Sequence, residues 1–263
     1  MIAVLRSEWL KIRTTTIPWI LSGIALVLTG LSILVYFLSK GAQGPNQSGG
    51  FGPPTPNVPH TVQQLRNLVG VGIGLYIFAL LLGVLIITVE FRHKTVTTSF
   101  LTTPHRPRFV LGKLLIAAIL GIALAVVVLA GTVIGGGIAL AAKGGSFSAM
   151  AHQIGAVAPG MILVYALFAI LGVGVGSLLT NQVAAIVVSL GWFLIVENII
   201  EGIWSGTTRW LPSGAARAAA SVSSGGRHDV SLFAWWQGAI LILVYGLVFA
   251  ILGSVLLTKR DIT

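Results

Sequence analysis

Glu197, Asn198 and Glu201 form a polar cluster inside an otherwise apolar block. Glu197 and Glu201 are four residues apart, so on a helix they share a face. Two carboxyl groups this close repel when both are charged, the arrangement an ion relay within a membrane would use. The cluster lies near the end of its block, where it could also cap a helix or pair with Arg209 across the following turn. Contact with a transported molecule is the other reading. Ser177, in the run Gly174-Val-Gly-Ser, would act as a nucleophile only with a histidine within reach. All five histidines (60, 93, 105, 152 and 228) fall between the apolar blocks. The chain has no His-Glu-x-x-His pattern, no pair of intramembrane aspartates and no cysteine, which argues against hydrolysis in the membrane, metal sites and thiol chemistry. It also lacks a Gly-x-x-x-x-Gly-Lys-Ser/Thr loop, so hydrolysis of ATP by that route is not expected of this chain, nor is enzyme activity of its own.

The elements that must position these residues follow from composition. Of 263 residues, 56% are hydrophobic and 8% are charged, and the mean hydropathy is +0.97. A soluble fold could not cover its exterior with so few charges. The net charge of +10 would point to nucleic acid in a soluble protein. Here the basic residues stand between apolar blocks, where lipid phosphates account for them, so membrane lipids and not nucleic acid are the expected partners.

Six apolar blocks cover 17–38, 68–89, 114–142, 154–179, 182–203 and 232–257. Each is long enough to cross a hydrocarbon core of ~30 Å as a helix. The runs are continuous and do not alternate, which excludes barrel strands. The expectation is an all-α polytopic membrane protein, a single transmembrane domain over 1–263 with six spans. Ten of the sixteen Lys and Arg fall in 1–16, 90–113, 180–181 and 258–263, although these are the shorter set of connections. That asymmetry places both termini in the cytoplasm. Block one is too long for a signal-peptide core and is expected to be retained. The stretch from Gly41 to Asn67 holds five prolines and five glycines and reads as an outer linker ending in a short helix from Thr61. Trp204, Trp210, Trp235 and Trp236 gather at the outer ends of blocks five and six, as an interfacial belt does. Gly70-x-x-x-Gly74, Gly131-x-x-x-Gly135 and Gly172-x-x-x-Gly176 read as close-packing faces. Pro159 reads as a kink or cap near the start of block four.

Two further segments carry functional signals. In the N-terminal run, Ile2, Leu5, Trp9 and Ile12 share one helical face, flanked by Arg6 and Arg13, with Lys11 turned away. This is the pattern of a helix lying in the membrane interface, the other reading being a short basic tail before an anchor helix. The segment 90–113 is basic and holds Pro104 and Pro107, which should end any helix near Thr103. A short helix from about Lys94 would bring Val96 and Phe100 onto one face. Its six Thr and Ser make it poor by propensity, so a partner surface would have to order it; the other reading is a solvated positive-inside loop.

These segments resemble the permease subunits of ABC-2-type exporters, in particular the short six-helix bacterial ones. The run Ser7-Glu-Trp-Leu-Lys-Ile-Arg-Thr14 is similar to their N-terminal elbow helix. Glu90-Phe-Arg-His, Thr95, Leu101-Thr-Thr-Pro104, Arg106 and Lys113 are similar to their first intracellular loop. Trp210-Leu-Pro212 is similar to their outer segment, and Thr258-Lys-Arg-Asp261 to their basic ending. Lys94 departs from the glycine carried there by many members. The resemblance implies a type V (ABC-2/G-subfamily-like) exporter transmembrane domain in the bacterial cytoplasmic membrane. It implies a homodimer, or a pairing with a similar permease, above ATP-binding-cassette ATPase subunits that bind ATP and Mg2+. The chain itself would bind no cofactor. The 90–113 loop would be a coupling helix, with Val96, Phe100 and Leu101 making apolar contacts and Glu90, Arg92 and Arg106 pairing charge. Leu5, Arg6, Trp9, Lys11 and Arg13 would form the elbow helix. The 204–231 segment would be a re-entrant outer gate, with Glu197, Asn198, Glu201 and Arg209 at the gate or substrate path. The cargo would be hydrophobic or amphiphilic: a drug, antibiotic, peptide or lipid. The competing reading is an ion-coupled transporter or channel that uses Glu197 and Glu201.

Overall fold

The structure is a computed structural model that describes residues 15–42, 59, 61–92, 106–179, 181–222 and 231–259. Among the described residues every regular element is helical. The long helices are α1 (Ile17–Ala42), α3 (Tyr76–Arg92), α4 (Arg106–Ala142), α5 (Phe147–Leu178) and α9 (Trp235–Lys259). Shorter ones are α2 (Val62–Val69), α6 (Gln182–Gly191), α7 (Glu197–Ile203) and α8 (Pro212–Ala219). Among the described residues six helical stretches are long and apolar enough to cross a membrane: 17–38, 62–89, 111–142, 147–178, 182–203 and 235–253. The protein is therefore a multi-pass membrane protein, and the six candidate spans among its described residues match the six apolar blocks.

The short helix expected from Thr61 is present. Thr61 accepts the amide of Gln64, and the Gln64 side chain accepts the amide of Thr61, a reciprocal cap. Tyr36 donates to the Gln64 carbonyl at 2.8 Å and ties α1 to α2. The second span is broken between α2 and α3. Gly70 caps α2, Gly72 opens a short 3-10 turn, and the buried Tyr165 hydroxyl donates to the Gly72 carbonyl at 2.7 Å.

The core is built around α5, which packs against α3, α4, α9, α2 and α8. Glycine lets the backbones meet. A Cβ at Gly83 would run into the Ala169 carbonyl, and one at Gly172 into the Leu80 carbonyl. A Cβ at Gly121 would lie 2.5 Å from the Tyr165 carbonyl in the same sense. Between helices already surrounded by apolar tails, such shape fit replaces the hydrophobic drive of a soluble core. Gly172 and Gly176 thus form a packing face against α3, and Gly131 and Gly135 meet Leu26 and Ile33 of α1. The Gly70/Gly74 pair does not form one. It straddles the helix break, and a Cβ at Gly74 would meet open space.

The outer faces stay apolar. Trp19, Val27, Val183 and Val187 are each more than half exposed, as suits contact with lipid tails. Two boundaries differ from the sequence expectation. Helix α4 begins at Arg106, with Pro107 in its first turn, where a missing amide hydrogen costs nothing. Helix α5 begins at Phe147, so Pro159 lies inside it and His152 is helical, not in a loop.

Candidate functional site

Helices α6 and α7 belong to one span, joined by a π turn over Trp192–Val196. The Glu197 amide donates to the Trp192 carbonyl, five residues back. The extra residue rotates the remainder of the span. It turns Glu197 inward, where it is 2% exposed, and leaves Asn198 outside. The Asn198 amide donates to the carbonyls of Phe193 at 3.4 Å and Leu194 at 3.0 Å, supporting the widened turn. Asn198 is therefore not part of the acidic cluster, contrary to the sequence expectation.

The inward carboxylate is held from two sides. The Trp192 indole N–H donates to Oε1 at 3.1 Å, and the backbone N–H of Ser213 donates to Oε2 at 3.2 Å. Ser213 stands in the first turn of α8, whose N-cap Leu211 has no side chain able to accept an amide. Glu197 thus closes the N-terminus of a helix to which it does not belong, its carboxyl oxygens accepting at the positive end of the peptide dipoles. One turn further, the Ser213 hydroxyl donates to Glu201 Oε1 at 3.1 Å, and Arg217 makes a short ion pair with the same oxygen. Residues 197 and 201 face residues 213 and 217, so two four-residue spacings are matched across the contact.

The expected pairing with Arg209 is not made. Arg209 lies over the rings of Trp210 and Phe233, at 5.8 and 5.6 Å, while Arg217 takes the acid. Arg209 sits in the 3-10 turn Ser205–Trp210, which precedes α8. Arg217 is carried inward on α8.

Helix α8 is not a surface connection. Ala215, Ala216 and Ala220 are fully buried and Ala219 is 2% exposed, packed between α5 and α9. A Cβ at Gly160 would strike the Ala219 carbonyl, and one at Gly238 would lie 2.5 Å from the Ala215 carbonyl. Small residues on both sides let this segment fold back into the bundle. It ends on Ser221 at φ 55°, with the Val222 amide donating to the Arg217 carbonyl and the Ser221 amide to that of Ala218. That is a helix stop in which glycine is the usual residue.

Below α8 lies an apolar slot of about 570 Å³. Leu171, Val175 and Leu178 of α5 form one wall, and Tyr245 and Phe249 of α9 a second. Val188, Ser189, Trp192 and Phe193 of the fifth span form the third. Leu211 and Pro212, just before the Ser213 amide that Glu197 holds, close the top. Phe193 also stacks edge-on against Tyr76 and at a tilt against Phe168, with centroids at 6.0 and 5.6 Å, so the slot is walled off from the core by aromatics. The volume lies within the roughly 300–1,000 Å³ of pockets that take small molecules.

At the opposite end of the bundle, Glu90 lies in the last turns of α3 and Arg106 begins α4. Arg92 donates to the Gln182 side chain at 3.3 Å, linking the end of α3 to the start of α6. Lys113 is buried, its ammonium 3.5 Å from the Ile86 carbonyl. Val96, Phe100 and Leu101 lie outside the described residues, as do Leu5, Arg6, Trp9, Lys11 and Arg13. His152 is exposed in the second turn of α5, whereas Ser177 is in its last turn, about 37 Å away along the helix. The two do not form a nucleophile and base. Ser177 donates instead to the Gly174 carbonyl at 2.6 Å. Among the described residues no three His, Asp or Glu gather as a metal site.

Sequence reading missed Ser213, Arg217, Trp192 and the slot. A signal for Arg217 was present, since it is a lone cation in the small-residue run 212–220. The π turn has no comparable signature in Trp192–Val196.

A family model described as ABC-2 family transporter protein matches residues 4–196. The matched stretch runs through the first four spans and ends at the π turn, one residue before Glu197. A search of the curated proteins finds no match.

Proposed function

The chain belongs to the ABC-2 family of transporter proteins, and on that premise we propose that it is the membrane-spanning permease subunit of an ATP-driven exporter. The observation that carries this is the family match over residues 4–196 together with a six-span, all-helical bundle. In this reading ATP and Mg2+ bind to separate ATP-binding-cassette subunits. The permease acts as a homodimer or with a similar permease, in the bacterial cytoplasmic membrane, with both termini inside. Its cargo is hydrophobic or amphiphilic and moves outward.

Val96, Phe100 and Leu101 seat in the ATPase, with Glu90, Arg92 and Arg106 pairing charge around them. The Arg92–Gln182 hydrogen bond supports a route by which their motion reaches the fifth span. That span lines the slot and ends on the residues that hold α8. Leu5, Arg6, Trp9, Lys11 and Arg13 ride the inner interface as the elbow helix. The α8 segment, with Glu197 and Glu201 behind it, serves as the outer gate. The geometry favours this over an ion relay, because both acids are already engaged by Trp192, Ser213 and Arg217.

The test is purification of the tagged chain in mild detergent after co-expression with its neighbouring reading frames. A stoichiometric P-loop subunit with vanadate-sensitive ATPase activity is the expected result. A chain that purifies alone, with no nucleotide dependence, would overturn the reading.

A further inference from the structure

We infer that the slot between α5, the fifth span and α9 binds the alkyl chain of an amphiphile drawn from the surrounding leaflet. This rests on the exporter reading and deepens it, by naming the part of the substrate that the permease grips.

The first ground is hydrogen bonding. Three side chains in the lining carry donors, and all three donors are engaged. Ser189 donates to the Ala185 carbonyl at 2.7 Å, Tyr245 to the Trp210 carbonyl at 2.9 Å, and Trp192 to Glu197 at 3.1 Å. A polar ligand body would enter with its acceptors unmatched, which disfavours it. A hydrocarbon leaves nothing unmatched.

The second ground is shape. Leu171, Val175 and Leu178 follow one face of α5 over about 10 Å. Val188 and Trp192 on the fifth span, and Tyr245 and Phe249 on α9, are each four apart and run alongside. Three helices thus enclose the slot on three sides, a hydrocarbon-walled volume into which a flexible chain can pack.

The third ground is access. Val188 and Trp192 are 53% and 42% exposed on the single chain, so the fifth-span wall is also the open rim of the slot. Leu178 and Leu179 mark the lower end, where the next helix begins with Asn181 and Gln182, and Gln182 carries Arg92. A polar head group would rest there while the chain fills the slot up to Pro212. Since a chain leaving lipid gains no hydrophobic transfer energy, selection comes from packing fit.

The experiment uses the full chain with its co-expressed partners in nanodiscs, and a palmitate probe with a mid-chain diazirine. Adducts mapped by mass spectrometry are expected at Val175, Leu178 and Phe249, and should be lost on adding unlabelled palmitate. Val175→Trp, and independently Leu171→Phe, should lower them at least fivefold while labelling of the exposed Val183 and Leu247 is unchanged. Each variant is first shown to be monodisperse. Equal labelling of slot and exposed faces in all variants would overturn the inference. So would a cysteine placed at 175 that cross-links to a second copy, since the slot would then seat a helix. A bound ATPase with an unlabelled slot overturns this inference alone. A labelled slot with no ATPase overturns the exporter reading alone.

Discussion

The carboxylate of Glu197 accepts the backbone N–H of Ser213 at 3.2 Å, so a side chain of the fifth span caps a helix sixteen residues further along the chain. The same carboxylate takes the Trp192 indole at 3.1 Å, and Trp192 lines the slot. Slot wall and slot roof therefore converge on one buried group. Glu197→Ala leaves a buried amide and an indole without an acceptor and should cost about 1–3 kcal/mol. Glu197→Gln keeps an acceptor oxygen and should cost less. Thermal unfolding in detergent gives the order. Transport by Glu197→Gln should stay within about twofold of the parent once corrected for folded protein, if the residue holds α8 and makes no contact with cargo.

Glu201 and Arg217 are 23% and 20% exposed, shielded enough for their pairing to matter. Arg217→Ala and Glu201→Ala should each destabilise the fold. A double-mutant cycle should return a coupling of about 1–3 kcal/mol. Exchange of the two, as Glu201→Arg with Arg217→Glu, should recover part of the loss. A coupling near zero would remove the pair from the account of how α8 is held. The same cycle with Arg209 in place of Arg217 should show no coupling, since Arg209 stacks on Trp210 and Phe233.

Ser221 ends α8 at φ 55°, a conformation that costs an L-residue roughly 1–2 kcal/mol. Ser221→Gly should raise the unfolding midpoint by a stabilisation of about 1 kcal/mol or less. A lower midpoint would mean that the serine makes a contact worth more than the strain.

Gly83→Ala places a methyl group against the Ala169 carbonyl and must push α3 from α5. A loss of about 1–3 kcal/mol or failure to accumulate is expected, as for overpacked cores. Gly74→Ala, with nothing within 4 Å, is the matched control and should be silent or slightly stabilising. Fluorescence-detected size exclusion separates the two.

Phe100→Asp should uncouple transport from ATP hydrolysis without lowering expression, if the 90–113 segment seats in the ATPase. Unchanged transport would remove Phe100 from that contact and weaken the coupling role of the loop.

Much of this architecture was legible in sequence because the bilayer imposes a simple rule. Every span must satisfy its own backbone and cover itself with apolar side chains for about 20 residues. Six such runs are visible in the sequence, as is the short helix from Thr61, whose cap depends on residues only three apart. The acidic pair was legible too, since 197 and 201 share a helical face whatever surrounds them.

The partners of these acids were not legible. They depend on the π turn over 192–196, which turns Glu197 inward and Asn198 outward, and on α8 folding back between α5 and α9. Local periodicity records neither. The first is one extra residue in a turn whose sequence is ordinary, and the second is settled by glycines at 160 and 238, distant in the chain. By itself the sequence determined that this is a six-span membrane protein resembling the ABC-2 permeases, because hydropathy and local motifs act within single segments. The tertiary structure alone decided that Arg217 and not Arg209 meets Glu201, and that a slot lies beneath α8. Pairing and enclosed volume exist only once separate helices share the same space.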